Sequence, residues 1–351
     1  MTSVLDDYRY ALPPGLIAQE PAQDRGASRL MIANRRDQSL TRSLFANIGQ
    51  FLPPESLLVL NDAKVTPARL LGRRRGHPGL VELLILDPPL DQGPGILDLW
   101  CLGRPGRCLR PKTVLSFANG AIELRGEVIG ALEGTGRRLV RFDFPDPPLA
   151  VLEALGHLPL PPYIKRPDRP QDFERYQTIY ARNPGAIAAP TAGLHFTPAL
   201  MEELGNRHPM AWINLRVGAG TFAPLTSKEL SEGRLHEERV SVGQVAVEAI
   251  LEAKKSNRRV VAVGTTTARA LEWAAESGSL RPRDGLCDLF IRPGHEFRVV
   301  EALVTNFHLP ASSLLLLVGA FMGREALMRA YGEAIAEKFR FYSYGDAMLV
   351  I

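Results

Sequence analysis

A histidine lies among small residues just before a predicted helix. Residues 188–197 contain a threonine, a glycine and His195, and Thr197-Pro198 is typical of a helix N-cap followed by proline at the first helical position. The free N–H groups and positive dipole end of a helix over 198–206 would lie beside His195, a setting that suits anionic or electron-rich ligands. A histidine there can move protons near neutral pH, although a lone histidine more often donates to a backbone carbonyl.

Glycine and threonine follow two further predicted strands. Gly218 and Gly220 would let the backbone approach a ligand closely, but a Gly-x-Gly pair fits a tight turn equally well. Gly264, Thr265 and Thr266 lie between a predicted strand and a predicted helix. Ligands bind at the carboxyl ends of strands in open α/β sheets, while a threonine-capped helix without a ligand is the alternative.

Three other segments carry acid–base or stacking groups. His236 and Glu238 lie two residues apart, so on an extended chain they face the same side and can form an acid–base pair; a solvated strand edge is the alternative. Asn306 and His308 lie between apolar runs, where each needs a partner if it is buried. The C-terminal stretch 340–348 fits either a base-stacking surface or a docked strand.

Positive charge is clustered in the first half of the chain. Such clusters can bind phosphates, although a charge run is more often a solvated face. The clustered residues are Arg69, Arg73, Arg74, Arg75, Arg104, Arg107, Arg110 and Lys112.

These candidate groups can act together only in a folded protein, and the composition predicts a folded chain. The 351 residues are 45% hydrophobic and 23% charged, which allows one large core or two smaller ones and excludes disorder over most of the length. The formal net charge of +4 is compatible with a polyanionic partner without requiring one.

The sequence gives no support for a membrane or metal partner. The most apolar run, 314–322, is shorter than the roughly 20 residues of a transmembrane helix. The first ten residues lack a signal-peptide core, so we predict a cytoplasmic protein. Cys101, Cys108 and Cys287 are an odd and widely spaced set, which predicts neither a disulfide framework nor a metal site.

Short apolar runs at close spacing predict a compact all-β unit between residues 81 and 144. Glycine and proline clusters typical of turns separate the runs, which show no helical period. The runs cover residues 81–86, 97–102, 113–118, 121–129 and 138–144. This pattern predicts a small antiparallel β-barrel.

The rest of the chain alternates strand-like and helix-like segments, which predicts an α/β domain with helices covering a sheet. The arginine- and proline-rich stretches 67–79 and 145–169 are where we expect the chain to cross between the two units. We therefore predict a discontinuous α/β domain over 1–66 and 153–351, interrupted by a barrel domain over 67–152. Predicted strands cover 212–217, 259–263 and 286–291, and predicted helices cover 198–206, 245–255, 267–276, 312–322 and 325–338.

Taken together, the segments resemble one family, the S-adenosylmethionine:tRNA ribosyltransferase-isomerases of queuosine biosynthesis. The matching stretches occur in the family's order and reach both ends of the chain, while the β unit matches mainly in character. The stretches are 7–8, 16–21, 61–69, 159–166, 174–178, 190–197, 217–222, 264–266, 305–310 and 341–348.

The resemblance implies a fold, a reaction and partners. It implies a large mixed α/β domain of unusual topology with an inserted small antiparallel β-barrel. It implies transfer and isomerisation of the ribosyl moiety of S-adenosylmethionine onto the aminomethyl group of 7-aminomethyl-7-deazaguanine (preQ1) at the tRNA wobble position. The products are epoxyqueuosine-tRNA, adenine and methionine. The expected partners of this monomer are that tRNA and S-adenosylmethionine, which is a substrate, with no catalytic cofactor.

Such a reaction needs one base and one acid. The sulfonium acidifies the ribose C5′ protons, adenine leaves more easily when a ring nitrogen is protonated, and the incoming amine must be neutral. The acid–base candidates within the family-like segments are His195, His236, Glu238, His308 and Asp346. The candidates for substrate binding are Arg69, Lys165, Arg166, Tyr176, Pro190, Thr191, Gly193, Phe196, Gly218, Gly220, Thr221, Gly264, Thr265, Thr266, Arg269, Asn306 and Ser343.

The chain departs from the family pattern at Gly26, Arg239, Arg292 and His295, and no role is carried over to those residues. Two other classes of function remain open from the sequence. A methyltransferase would use the same donor but release S-adenosylhomocysteine. A noncatalytic tRNA-binding module would consume no donor, and its affinity would depend on salt.

Overall fold

The computed structural model describes residues 4–90, 92–222 and 225–351. Its strands are β1 (Arg29–Ala33), β2 (Leu40–Leu44), β3 (Leu57–Asn61), β4 (Ala63–Val65), β5 (Arg69–Arg74), β6 (Leu80–Ile85), β7 (Gly95–Arg104), β8 (Val114–Ala118), β9 (Glu123–Leu132), β10 (Arg137–Phe144), β11 (Asn183–Ala186), β12 (Met210–Leu215), β13 (Arg234–Val242), β14 (Val260–Val263), β15 (Arg283–Leu289), β16 (Ala302–Asn306) and β17 (Ala347–Val350).

The α-helices are mostly short and follow the strands. They are α1 (Pro148–Leu155), α2 (Asp172–Arg175), α3 (Pro198–Gly205), α4 (Ser227–Glu232), α5 (Gln244–Lys255), α6 (Thr265–Ala274), α7 (Ser313–Met322) and α8 (Arg324–Ala336). The 3₁₀ helices are Asp6–Tyr8, Pro14–Leu16, Arg25–Ala27, Phe45–Gln50, Gly106–Cys108, Thr191–His195 and Ala219–Phe222.

A mixed sheet forms the centre of the molecule. In the described part of the chain it has nine strands in the order β15-β13-β12-β3-β14-β16-β17-β1-β2. Strands β12, β3, β14 and β16 run parallel to one another, and β17 is antiparallel to β16. The carboxyl ends of four central strands and the start of β17 therefore meet at one edge.

Both faces of this sheet are buried. In β3, Leu57 and Val59 pack into a core formed with α5 to α8, whereas Leu58 and Leu60 pack against α3 and the 3₁₀ helix Phe45–Gln50. Each of these four β3 side chains is 0–1% exposed, and full burial of such a side chain contributes about 1.5–3 kcal/mol. A continuous apolar run in the sequence thus becomes a central strand covered on two sides.

The segment between β4 and α1 forms a closed antiparallel barrel in the order β10-β7-β6-β5-β8-β9. Alternate side chains fill it, as in β6, where Val81, Leu83 and Ile85 are buried. Val151 and Leu152 of α1 belong to the same core, so this helix packs against the barrel interior. The predicted fold class, a large mixed α/β unit with an inserted small antiparallel barrel, is confirmed.

One barrel strand was not predicted. The five apolar runs all become strands, but β5 lies within 67–79, which the sequence predicted to be a connection. The inward positions of β5 are Leu70 and Gly72, and arginines flank them. With a glycine at one core position, the strand lacks the alternating apolar pattern that identifies its neighbours.

The C-terminal tail is a docked strand, which confirms one of the two alternatives for that stretch. β17 pairs with β16 on one side and β1 on the other, and its four residues are all buried. Tyr342 and Tyr344, which precede it, are only 6% and 3% exposed. Neither ring is therefore part of an exposed surface.

Within the three described ranges, none of the helices combines the length and apolar character needed to cross a bilayer. The same ranges contain no group of three or more His, Cys, Asp or Glu side chains arranged to hold a metal ion.

Candidate functional site

A cleft lies at the carboxyl edge of the parallel strands. This is the edge where open α/β sheets bind ligands. Its polar lining comes from segments that are far apart in sequence, and alanine, valine, leucine and phenylalanine residues cover the remaining wall. The lining includes Tyr163, Tyr176, Thr191, Thr221, Gly264, Thr265, Thr266, Thr305, Asn306, His308, Ser312, Tyr342 and Ser343.

Helix α6 begins at this cleft. Gly264 precedes it with φ of 99°, a conformation that favours glycine, and provides no side-chain cap. Thr265 and Thr266, the first two residues of the helix, line the cleft. The uncapped N–H groups, the dipole end and the two hydroxyls thus form a wall suited to electron-rich oxygen atoms.

Asn61 ties two strand ends together beneath this wall. Its Nδ2 donates to the Leu215 carbonyl at 3.0 Å, and its Oδ1 accepts from the Leu215 N–H at 3.0 Å and the Ala63 N–H at 3.2 Å. The side chain is fully buried. Sequence reasoning did not single out Asn61, although an amide at the end of an apolar run is a signal that a buried backbone group needs a partner.

Two tyrosines of the cleft were also absent from the predicted site residues. The rings of Tyr163 and Tyr342 lie 4.7 Å apart, and the Tyr163 hydroxyl hydrogen-bonds Ser343 Oγ at 2.6 Å. Burial raises the pKa of Tyr163 to about 12, so the phenol is neutral at physiological pH. Both tyrosines lie in stretches that carry the family resemblance, and that resemblance is the sequence signal from which they could have been predicted.

His308 lines the cleft as a neutral imidazole. Its Nε2 lies 2.7 Å from Thr305 Oγ1, and its backbone N–H donates to the Tyr331 hydroxyl at 2.9 Å. Burial lowers the pKa of His308 to about 3. This histidine can exchange hydrogen bonds with a ligand but carries no charge near pH 7.

His195 contacts the cleft lining from the protein interior. It is 3% exposed, and its ring packs 4.9 Å from Phe45 between centroids. Nδ1 lies 2.8 Å from Ser28 Oγ, and Nε2 lies 3.2 Å from Nδ2 of Asn306, which lines the cleft. Burial lowers the pKa of His195 to about 4. His195 is thus separated from the cleft by the Asn306 amide, in an adjoining small cavity that includes Arg25.

A second cavity adjoins the cleft through shared lining residues Thr221, Thr265, Thr266 and Leu314, and it contains His236, Glu238 and Arg269. His236 and Glu238 lie two residues apart on strand β13, so their side chains are on the same side of it. His236 Nε2 lies 3.7 Å from Glu238 Oε1. His236 Nδ1 lies 3.7 Å from Glu229 Oε1 on its other side. Nε2 is buried and has no hydrogen-bond partner among the described residues.

Glu238 is held as a carboxylate. It pairs with Arg269, and its Oε1 accepts from the Gly218 N–H at 2.7 Å and from Thr221 Oγ1 at 3.1 Å. Burial opposes the charge, but Arg269, His236 and the Gly218 N–H together keep the pKa of Glu238 below its ordinary value. Arg269 also donates to the backbone carbonyls of His236, Cys287 and Leu289. It is a structural partner of Glu238 rather than a free cation.

The turn over Glu238 depends on Gly220. A Cβ added at Gly220 would overlap the His236 imidazole, so this turn reaches its place only with glycine there. A Cβ added at Gly218 would lie 3.8 Å from Glu238, an ordinary van der Waals distance. The Gly-x-Gly pair therefore has one residue with a steric role and one whose N–H is the functional group.

Several predicted binding residues lie away from the cleft or are already paired. Arg69 bonds Asp168 at 3.0 Å, and Arg166 bonds Asp172 at 2.6 and 2.9 Å, in both cases with a nearly buried carboxylate. Lys165 is exposed. These arginines have internal partners that a phosphate would have to displace.

Other predicted residues shape the surroundings. Asp346 accepts the backbone N–H groups of Arg29 and Arg340 at 2.9 and 2.8 Å, so it anchors β1 to the tail. Phe196 packs on Phe45 in the core. Pro190 and Gly193 are buried beside the cleft, in and before the 3₁₀ helix Thr191–His195.

A solved structure of the same architecture is described as the S-adenosylmethionine tRNA ribosyltransferase from Thermotoga maritima. It is 35% identical, with a TM-score of 0.54 over 98% of this chain and all of that chain. The barrel-interrupted sheet is thus that of a transferase class, and the prediction that the chain is an enzyme is confirmed.

The sequence comparisons identify the family within that class. The family model described as queuosine biosynthesis protein matches residues 5–350. Relatives named S-adenosylmethionine:tRNA ribosyltransferase-isomerase include one from Syntrophotalea carbinolica, 46% identical over 99% of both chains. Another, from Thermosynechococcus vestitus, is 46% identical over 99% of this chain and 96% of the relative. The chain belongs to the queuosine biosynthesis protein family, as its resemblance predicted.

Proposed function

We propose that the chain transfers and isomerises the ribosyl moiety of S-adenosylmethionine onto the aminomethyl group of preQ1 at the tRNA wobble position. Adenine and methionine leave, and epoxyqueuosine stays in the tRNA. The observation that carries the proposal is the cleft itself, where hydroxyls from several loops adjoin the His236–Glu238 pair. The names of the relatives, which specify ribosyl transfer between S-adenosylmethionine and tRNA, support it.

The donor binds with its ribose against the N-terminal wall of α6. Thr191, Thr265 and Thr266 supply hydroxyls to the sugar oxygens, and the apolar wall and tyrosines take the adenine ring. Gly264 lets the backbone approach the sugar closely. The donor is consumed as a substrate, and the proposal includes no catalytic cofactor.

His236 is the proposed base. Its unpartnered Nε2 takes a C5′ proton made acidic by the neighbouring sulfonium, and Glu238 at 3.7 Å stabilises the imidazolium that forms. The C4′=C5′ double bond forms as C4′–O4′ breaks, O4′ forms the C1′ carbonyl as the glycosidic bond breaks, and adenine takes the proton from His236. The neutral aminomethyl nitrogen then bonds C4′ and loses a proton to His236, which leaves the electron pair on C5′ beside the sulfonium. C5′ bonds C1′ to close the carbocycle, and the C1′ oxygen bonds C5′ to form the epoxide as the C5′–S bond breaks and methionine leaves.

The tRNA contacts are proposed from exposed charge. Lys165 lies near the cleft tyrosine Tyr163 in sequence, and the barrel exposes a further set of cations, Arg73, Arg75, Arg104, Arg107, Arg110 and Lys112. Phosphate contacts of this kind give affinity that falls with salt. We propose that the barrel, 67–152, is a separate domain from 1–66 with 153–351, and that the enzyme is a cytoplasmic monomer.

The test is to incubate the protein with S-adenosylmethionine and tRNA bearing preQ1, then analyse nucleosides and small molecules by mass spectrometry. The proposal predicts epoxyqueuosine with equal amounts of adenine and methionine. Matched reactions use tRNA with guanine at the wobble position, which lacks the aminomethyl nucleophile and should give no product.

The products also separate the other two classes. S-adenosylhomocysteine would identify a methyltransferase. Tight, salt-dependent tRNA binding by folded protein without donor consumption would identify a binding module and contradict the proposal.

A further inference from the structure

The hydrogen bonds around His195 determine which ring nitrogen carries the hydrogen. Ser28 Oγ donates its single hydrogen to the Arg25 carbonyl at 3.0 Å, so it must accept from His195 Nδ1 at 2.8 Å. His195 therefore carries its hydrogen on Nδ1. Because burial holds the pKa of His195 near 4, the ring is neutral at pH 7 and Nε2 is an acceptor.

That acceptor fixes the orientation of the Asn306 amide. Nδ2 of Asn306 donates one hydrogen to His195 Nε2 at 3.2 Å and the other to the Tyr342 carbonyl at 3.1 Å. Turning the amide over would place Oδ1 against two acceptors. The two neighbours thus determine which atom of the amide is the nitrogen and leave Oδ1 on the opposite side.

Oδ1 of Asn306 is an acceptor without a partner. The residue is 2% exposed and lines the cleft, and Oδ1 has no hydrogen bond among the described residues. Buried acceptors are rarely left unsatisfied, and those that are mark places where a ligand or water completes the bonding. An acceptor oxygen without a partner in a largely apolar wall favours a ligand that donates a hydrogen bond to it from an N–H or O–H group.

We propose that Asn306 Oδ1 accepts a hydrogen bond from the 6-amino group of the donor's adenine, and that His195 is a positioning residue that keeps the amide turned this way. The inference rests on the proposed function, since it assigns part of the same donor site. Within the donor, the adenine is the flat heteroaromatic group that suits the apolar wall of Ala188, Ala189 and Phe307. Its amino group is the hydrogen-bond donor on that ring.

The test compares binding of S-adenosylmethionine with binding of its 6-oxo analogue, in which a carbonyl replaces the adenine amino group. Calorimetry is run without tRNA and with the unreactive tRNA that has guanine at the wobble position. Wild-type protein should prefer the amino compound on the order of 100-fold, because the 6-oxo group places oxygen against oxygen. Asn306→Leu removes the acceptor and should reduce the preference below tenfold.

His195→Phe separates positioning from contact. Phenylalanine keeps the ring beside Phe45 but removes Nε2, so only the Tyr342 carbonyl still holds the amide in its orientation. The preference for the amino compound should fall by a smaller factor than in Asn306→Leu, with the 6-oxo analogue binding more tightly than it does to wild type. Thr266→Val is the matched control, since it should weaken both compounds equally and leave the preference unchanged.

The outcomes distinguish the two levels of the account. If folded Asn306→Leu and His195→Phe proteins, checked by thermal unfolding, keep the wild-type preference, the inference is wrong while the proposed function stands. Equal binding of the two compounds by wild type also overturns it. If wild type binds no S-adenosylmethionine either alone or together with the tRNA that has guanine at the wobble position, the proposed function fails and the inference fails with it.

Discussion

The two histidines beside the cleft differ in burial and in hydrogen-bond partners. His195 is 3% exposed, has a partner for each ring nitrogen and is held neutral. The His236 side chain is 26% exposed, lies between two carboxylates and leaves Nε2 unpartnered among the described residues. The difference teaches that a histidine in a motif-rich segment can be a fixed part of the framework, while one in an ordinary acidic strand keeps a ring nitrogen without a hydrogen-bond partner among the described residues.

The largest effect should come from His236→Gln. Loss of a positioned base typically lowers turnover by about 10²- to 10⁴-fold, and we expect that drop in kcat with KM for the donor little changed. His77→Gln is the control, because His77 is exposed on the barrel and should leave kcat unaltered. A kcat within threefold of wild type for His236→Gln would refute its role as base.

Removing Arg269 should leave Glu238 as a buried unpaired charge. We expect Arg269→Met to lower the free energy of unfolding by about 3–5 kcal/mol in urea titrations, and Glu238→Gln in the same chain to recover much of that loss. Arg125→Met, which breaks the exposed pair with Glu123, should change nothing measurable. Similar effects for the buried and exposed pairs would contradict the geometry.

The neutral state of His195 predicts a dependence of stability on pH. Its folded pKa, about 4, lies below the ordinary value of 6.5, so the unfolded chain binds a proton that the folded chain excludes. This contribution to stability is complete above pH 6.5 and is lost as the pH falls toward 4, at up to about 1.4 kcal/mol per pH unit. His195→Phe should reduce the slope between pH 6.5 and 5 and leave the part that buried His308 contributes. An NMR titration of His195 near 6.5 would show the assignment to be wrong.

The two glycines of the turn offer a smaller test beside His236. Gly220→Ala places a methyl group on the imidazole and should lower turnover about tenfold through the cost of overpacking. Gly218→Ala adds a Cβ at an ordinary contact distance and should stay within about twofold of wild type. Equal effects from both variants would mean that the turn does not seat His236.

The sequence predicted those parts of the fold that depend on local periodicity. The five barrel runs, the helix start at Thr197 and the strand-to-helix junction at Gly264 follow from alternation, capping and glycine chemistry. The β5 strand was not predicted because Gly72 occupies an inward position and arginines surround it. Local pattern fails where a core position carries no apolar side chain.

The candidate site could be predicted only where it depends on one local segment. The sequence placed Gly264, Thr265 and Thr266 at a strand end that can bind a ligand, and they line the cleft. The state of His195 depends on Ser28 and Asn306, which are 167 and 111 residues away along the chain. Pairings at such separations are set by the sheet order, so the sequence could name His195 but not its surroundings.

The most direct test of the contrast between the two histidines is a single-turnover measurement at saturating donor and preQ1-tRNA. We expect His236→Gln to lose at least about 100-fold in the rate of adenine release, and His195→Phe to stay within about tenfold of wild type. The reverse order of the two variants would contradict the account, because His195 would then be the base and His236 part of the framework.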